Sequence, residues 1–250
     1  MAGHSKWANI KHRKAKQDAA KGKVFTKIIR ELVSAAKQGD PDPASNPRLR
    51  AAVEKANSVN MTKDTVKRAI ERGAGGGDND NMQEITYEGY LGRGVSAIIE
   101  CVTENRNRTV AELRHILSRS GGELASNGSV TWQFDRKAIY SVESDGKNFD
   151  KAFEAALEAG ADDVTEEDGM IEIVGPIDTF KAIHDCLAAA HLKVDEAGLR
   201  FVPQNEIELD LEHTISTMKT IMAIEDLDDV QNVYSNLKIT DEAIAAMEND

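Results

Sequence analysis

At Gly73 the apolar residues of this chain stop recurring every three or four positions, and from Glu84 onward they alternate one by one. A helical period and a strand period cannot belong to one element, so the chain must divide here. The divider is "GAGGGDNDN" (73–81), rich in residues that punctuate structure. It lacks the Gly-Lys-Ser/Thr ending of a phosphate-cradling loop and follows no strand, so it reads as a hinge.

Upstream of the divider the pattern is helical. Val24, Phe25, Ile28, Ile29, Leu32, Val33 and Ala36 fall on one face. "DPDPASNP" (40–47) carries three prolines and forces a loop. Leu49, Ala52, Val53, Ala56 and Val59 mark a second helix. "MTKDTVKRAIERG" is a third, with Thr62 as N-cap and Gly73 as its stop. Residues 1–21 show no apolar period and read as an extended or partly disordered arm. Residues 1–75 are thus expected to form a basic arm plus a three-helix domain. Its exposed faces are expected to carry Lys27, Arg30, Arg48, Arg50, Lys55, Lys63, Lys67 and Arg68.

Downstream, strands and helices intersperse. "EITYEGYL" and "GVSAIIECV" read as a hairpin, and "NRNRTVAELRHILSRSGG" as a helix. "SVTWQFD" and "KAIYSVE" read as strands, "NFDKAFEAALEAGA" as a helix, and "ADDVTEED" with "GMIEIVG" as a strand pair. "PIDTFKAIHDCLAAAH" follows as a helix, "KVDEAGLRFVP" and "EIELD" as strands, "HTISTMKTIMAIEDL" as a helix and "VQNVYSNLKI" as a last strand. Between 136 and 203 the order is β-α-β-β-α-β, the ferredoxin-like arrangement. The flanking pieces, 80–129 and 204–250, are each too small to close a sheet. The expected fold is therefore multidomain α+β: the three-helix domain, a discontinuous αβ domain (80–129 and 204–250), and a ferredoxin-like αβ domain (130–203) inserted in it.

Charge divides along the same lines. Residues 1–72 hold 17 Lys/Arg against 7 Asp/Glu, a net of +10, whereas residues 136–250 hold 9 against 27, a net of −18. The whole-chain charge of −12 hides this polarity. A basic end on an acidic chain points to a polyanion, bound with the N-terminal region facing it. Lys6, Lys11, Arg13, Lys14, Lys16, Lys21, Lys23, Lys27 and Arg30 are the candidate phosphate contacts, since each neutralised phosphate releases counterions. Trp7 offers a stacking face for an exposed base, or else packs on the helices. His12 sits among the cations, where phosphate or solvent contact suits it better than a metal. Arg106 and Arg108 open a helix whose free N–H groups also favour anions. The same two arginines can instead pair with Glu104, Glu112 or a neighbouring domain, and the sequence leaves both open.

Other chemistries find little support. No H-E-x-x-H, C-x-x-C or G-x-S-x-G pattern occurs, and His184 and His191 read as surface histidines. "DDVTEEDG" and "EDLDDV" do not match a calcium loop and read as solvated faces. No catalytic residue, metal or cofactor is expected, and no small-molecule substrate. Cys101 and Cys186 lie in apolar surroundings and read as buried free thiols of a reducing compartment. No apolar run approaches the ~18–20 residues that span a bilayer, so no membrane partner is expected. Together these place the chain in the cytoplasm.

The spelling of several segments is more specific still. "MAGHSKWANIKHRKAKQDAAKGKVFTKIIREL", "NPRLRAAVEKAN", "VKRAIERGAG", "YEGYLGRGVSAIIE" and "NRNRTVAELRHILSRSGGELASNGSVTWQF" closely resemble the YebC family over nearly the full length. The resemblance implies a three-domain α/β architecture and, with no transit extension before Met1, a cytoplasmic bacterial protein. It implies no catalytic residues. Bacterial members are commonly described as DNA-binding transcriptional regulators. The mitochondrial relative, and bacterial members by a more recent view, act on the ribosome and assist difficult sequences such as proline runs. The arm is Lys-rich, and no turn-and-recognition-helix pair is evident, so ribosomal RNA is the expected target and DNA the alternative.

Overall fold

The structure is a computed structural model and describes residues 21–75, 81–167 and 169–248. Three helices come first: α1 (Lys21–Gln38), α2 (Pro47–Ser58) and α3 (Lys63–Gly73). Their apolar stripes meet in one core built on Ile28, Leu32, Val33, Leu49, Ala56 and Ala69. Asn46 fixes the α1–α2 corner. Its Oδ1 accepts the N–H of Leu49 at 3.1 Å, and its Nδ2 donates to the carbonyls of Ala35 and Asp40, both at 2.9 Å. Pro47 follows at the first helical position, where its missing N–H leaves no bond unmade. α3 ends on Gly73 because α1 passes directly behind it: a Cβ there would lie 2.3 Å from the carbonyl oxygen of Val33.

From residue 81 onward come β1 (Gln83–Tyr90), β2 (Ser96–Thr103), α4 (Arg106–Arg119), β3 (Glu123–Leu124), β4 (Phe134–Glu143), α5 (Phe149–Glu158), β5 (Asp163–Glu167), β6 (Met170–Gly175), α6 (Phe180–Ala189), β7 (Val194–Pro203), α7 (Leu211–Glu225), β8 (Val230–Ser235) and α8 (Asp241–Glu248). They build two four-stranded antiparallel sheets, ordered β3-β1-β2-β8 and β5-β6-β4-β7. The first sheet therefore joins strands from before and after the second. One face of it packs Ala97, Ile99 and Cys101 under α4, α7 and α8. The opposite face is shared between neighbours: Val102 joins the core of the helical bundle, and Ile98 packs with Val130 and Phe134. The second sheet is covered on one face by α5 and α6, around Tyr140, Ile171, Ile173, Ile183 and Leu187.

Three readings of the sequence change. "SVTWQFD" is a 3₁₀ turn (Thr131–Gln133) leading into β4, with no strand of its own. The cause is Glu88, a buried carboxylate on β1. It accepts the backbone N–H groups of Gly128 and Val130 at 2.6 Å and of Thr131 at 3.0 Å, so these cannot join a ladder. "EIELD" makes only a single parallel bridge, Ile207 to Leu237, because Asp210 already caps α7 through the N–H of His213 at 2.9 Å. The chain also ends on a helix, α8, which seats Ala243, Ile244 and Met247 in the first sheet's core. Cys101 is buried and Cys186 half-buried, both as free thiols. Among the described residues no helix is long and apolar enough to cross a membrane.

Candidate nucleic-acid interface

The expected phosphate contacts fall into three groups. Lys6, Trp7, Lys11, His12, Arg13, Lys14 and Lys16 lie outside the described residues, as does the side chain of Lys21. Lys23, Lys27 and Arg30 recur at helical spacing along α1 and share one face. Arg106 and Arg108 lie in the first turn of α4.

The α1 face is open to solvent at Lys23, whose side chain is 53% exposed, and closes towards Arg30. It lies on the C-terminal end of α7 and the loop that follows, "EDLDD". Lys23 Nζ is 3.3 Å from Asp226 Oδ2, and Lys27 Nζ donates to the Glu225 carbonyl. Arg30 pairs with Asp229 Oδ1 at 2.7 Å and is only 14% exposed. Cations against the last carbonyls of a helix complement its dipole, so the arrangement is favourable twice over. The reading of "EDLDDV" as a solvated face therefore fails at its most important residue, Asp229, which is 1% exposed.

Asp229 is where the helical bundle meets the first sheet and α4. Its Oδ2 accepts the hydroxyls of Thr109 at 2.7 Å and Thr103 at 2.9 Å. Arg108 Nη2 donates to both carboxylate oxygens, at 2.9 and 3.0 Å. Burial by itself raises the pKa of this carboxyl. The Thr109, Arg108 and Thr103 hydrogen bonds and the Arg30 charge outweigh that and hold it below the usual carboxylate range. In return, the hydrogen bond and charge of Asp229 raise the Arg108 guanidinium further. Arg108 thus holds the position that the sequence left open, paired with a neighbouring element.

Other cations of the bundle bind across the same boundary. Arg48 reaches Glu31 of α1 at 2.7 Å and also Glu84 of β1, which in turn accepts the Ser34 hydroxyl. Arg72 pairs with Glu104, and Lys37 Nζ donates to the Met82 carbonyl at 2.9 Å. Arg50 braces the α1–α2 loop through the carbonyls of Pro43 at 3.0 Å and Ala44 at 2.7 Å. Lys27, Arg30, Arg48 and Arg50 therefore serve the fold where the sequence suggested open faces.

The remaining expected cations do face outward. Lys55 on α2 and Lys63, Lys67 and Arg68 on α3 are exposed. Lys67 makes only a loose 3.7 Å pair with Glu71 one turn away. Arg106 is exposed at the start of α4, close to the Tyr87 hydroxyl. Further along the same helix, Arg114 and Arg119 are also exposed, and the sequence reading did not single them out. Among the described residues no group of three or more His, Cys, Asp or Glu is placed to hold a metal ion.

Comparison with known proteins agrees across the whole length. Residues 5–76 match the TACO1/YebC protein N-terminal domain, and residues 82–237 match the TACO1/YebC second and third domain. A "Probable transcriptional regulatory protein" of Aeromonas salmonicida is 54% identical over 248 residues, covering 99% of this chain and 100% of that protein. "Transcriptional regulatory protein PmpR" of Pseudomonas aeruginosa is 53% identical over the same span and coverage. The crystal structure of a conserved hypothetical protein from Aquifex aeolicus superimposes with a TM-score of 0.83 at 35% identity, covering 90% of this chain and 93% of that one.

Proposed function

The chain belongs to the TACO1/YebC family, and we propose that it is a non-enzymatic regulator of gene expression that contacts ribosomal RNA through its basic N-terminal region. The observation that carries this reading is the division of charge, +10 over residues 1–72 against −18 over residues 136–250. A polyanion is drawn to one end and repelled by the other, which orients the protein as it binds. The cations this reading assigns to phosphate are those of the arm, from Lys6 to Lys16, together with the exposed Lys55, Lys63, Lys67 and Arg68. Arg106 adds a second outward point on α4. Lysine-rich contact of this kind follows an irregular phosphate surface without reading base edges, which suits ribosomal RNA. Lys27, Arg30 and Arg108 support the same function indirectly, by fixing the helical bundle that presents the others.

The names of the bacterial relatives favour a second reading, a transcriptional regulator that binds DNA. One experiment separates the two. Full-length protein is sedimented with purified ribosomes in low salt and, in parallel, tested against promoter DNA with competitor at physiological salt. Ribosome co-sedimentation that is lost when Lys11, Arg13 and Lys14 are changed to Glu supports the RNA reading. A footprint that survives competitor, with no ribosome binding, replaces it with the DNA reading.

A further inference from the structure

Helix α5 packs with its sizes inverted. It buries its alanines, Ala152, Ala155 and Ala156, and turns Phe153 and Leu157 outward, 44% and 64% exposed. Ile177, 46% exposed, stands in the 3₁₀ turn that follows β6. That turn abuts the end of α5: a Cβ on Gly160 would lie 3.6 Å from Thr179 Cγ2. Of the five large apolar side chains exposed among the described residues, two, Phe153 and Leu157, thus form a stripe one turn apart on α5, and a third, Ile177, stands in the turn that abuts the C-terminal end of that helix. Single exposed apolar residues are ordinary, but a cluster is a mark of an interaction surface. Phe149 stacks against Phe153 with ring centroids 6.1 Å apart, so the outer stripe is held in place.

Charge selects the occupant. The cluster is rimmed by exposed carboxylates, Asp150, Glu154 and Glu158 on α5 and Asp178 beside Ile177, against one lysine on that helix, Lys151. Such a rim repels nucleic acid and anionic bilayers. In a two-fold pairing with a second copy, the same carboxylate-rich rim would meet itself, which is also unfavourable. What fits is the opposite pattern. We propose that the outer face of α5, with Ile177, is a docking surface for a basic protein, one that presents apolar side chains among lysines and arginines. The apolar cluster is small, which suits transient contact rather than a permanent complex. This inference does not depend on which nucleic acid the N-terminal region binds.

The test uses full-length protein and two synthetic 18-residue helices with the same leucine stripe, one flanked by lysines and the other by glutamates. The Leu/Lys peptide is expected to bind, and the Leu/Glu peptide not. Phe153→Ser with Leu157→Ser should weaken the Leu/Lys peptide by roughly tenfold or more, the effect of losing a buried Leu-sized contact. Leu157→Ser alone, a milder surface change, should give part of that loss with an unchanged melting temperature. Glu154→Lys with Glu158→Lys should transfer preference to the Leu/Glu peptide. The proposal is overturned if the Leu/Lys peptide does not bind, or if its binding ignores Phe153 and Leu157 and so reflects net charge alone. It is equally overturned if sedimentation shows a dimer that Leu157→Ser dissociates, since a second copy would then be the occupant.

Discussion

Replacing Asp229 by Asn tests whether the helical bundle is held to the sheet by this one carboxylate. The amide keeps the shape and one acceptor oxygen, so the Thr103 or Thr109 hydroxyl can still be satisfied. It removes the charge that faces Arg30 and Arg108. Removing one partner of a buried pair costs about 3–5 kcal/mol, mainly because the other charge is left uncompensated. Arg30, 14% exposed, is close to that limit, whereas Arg108, 48% exposed, recovers part of its solvation from water. A loss of about 2–4 kcal/mol follows, or about 5–15 °C in melting temperature for a chain of this size. The loss should be local first. Hydrogen exchange should quicken in α1 and around 225–229 before the second sheet is affected. Asp226→Asn, at an exposed pair with Lys23, should by contrast change stability by less than about 0.5 kcal/mol. Acid has the same target. The folded Asp229 carboxyl titrates below its unfolded value near ~3.9, so its contribution is complete above that pH and is lost as pH falls through the folded value. Asp229→Asn should abolish that part of the acid sensitivity. If the variant melts within a degree of the parent and α1 exchanges unchanged, the bundle is held by apolar contact through Val102 and Met82, and the electrostatic account is wrong.

Three further outcomes follow from the same geometry. Changing Lys63, Lys67 and Arg68 to Ala should leave the melting temperature unaltered and flatten the salt dependence of RNA binding by about 0.7–0.9 log units per phosphate contact removed, measured by filter binding across a salt series. Glu88→Gln keeps one acceptor oxygen, for Val130 and Thr131, but brings an amide N–H₂ against the N–H of Gly128, and should destabilise by about 1–3 kcal/mol with faster exchange at 128–131, read by calorimetry and mass spectrometry. Burial, with the Asp229 carboxylate adding to it, pushes the Cys101 thiol up to about 12, so iodoacetamide at pH 8 should label only Cys186 until the chain unfolds.

The sequence made the architecture legible wherever an element buries one face of a periodic pattern. The stripes of α1 to α3, the hairpin β1–β2 and the alternation of β4 and β6 were all readable in this way. It failed where a single side chain redirected the backbone. Nothing local shows that Glu88, 40 residues earlier in the chain, will collect the N–H groups of the 128–131 turn. Asp210 is likewise both the end of an apparent strand and a helix cap, and its capping role prevails because it satisfies an otherwise orphaned N–H. α8 carried the usual start signals, Thr240 followed by Asp241 and Glu242, in a tail too short to stand out.

The candidate interface shows the same limit from the electrostatic side. Counting cations locates the basic end but cannot separate those that meet solvent from those that meet carboxylates of the same chain. Lys23, Arg30, Arg48 and Arg72 each reach an acidic partner, and those four partners, Asp226, Asp229, Glu84 and Glu104, all belong to segments the sequence reading treated as separate. The net +10 of residues 1–72 is therefore an upper bound on what a polyanion can attract. Part of it is already neutralised where the bundle rests on the sheet half. That neutralisation also gives the divided charge a structural role: the acidic half supplies the counter-charge that fixes the bundle, leaving Lys63, Lys67 and Arg68 of α3 to turn outward. Mutations that appear to weaken nucleic-acid binding through Arg30 or Arg108 should therefore act through stability, and only those at outward positions should change the salt slope.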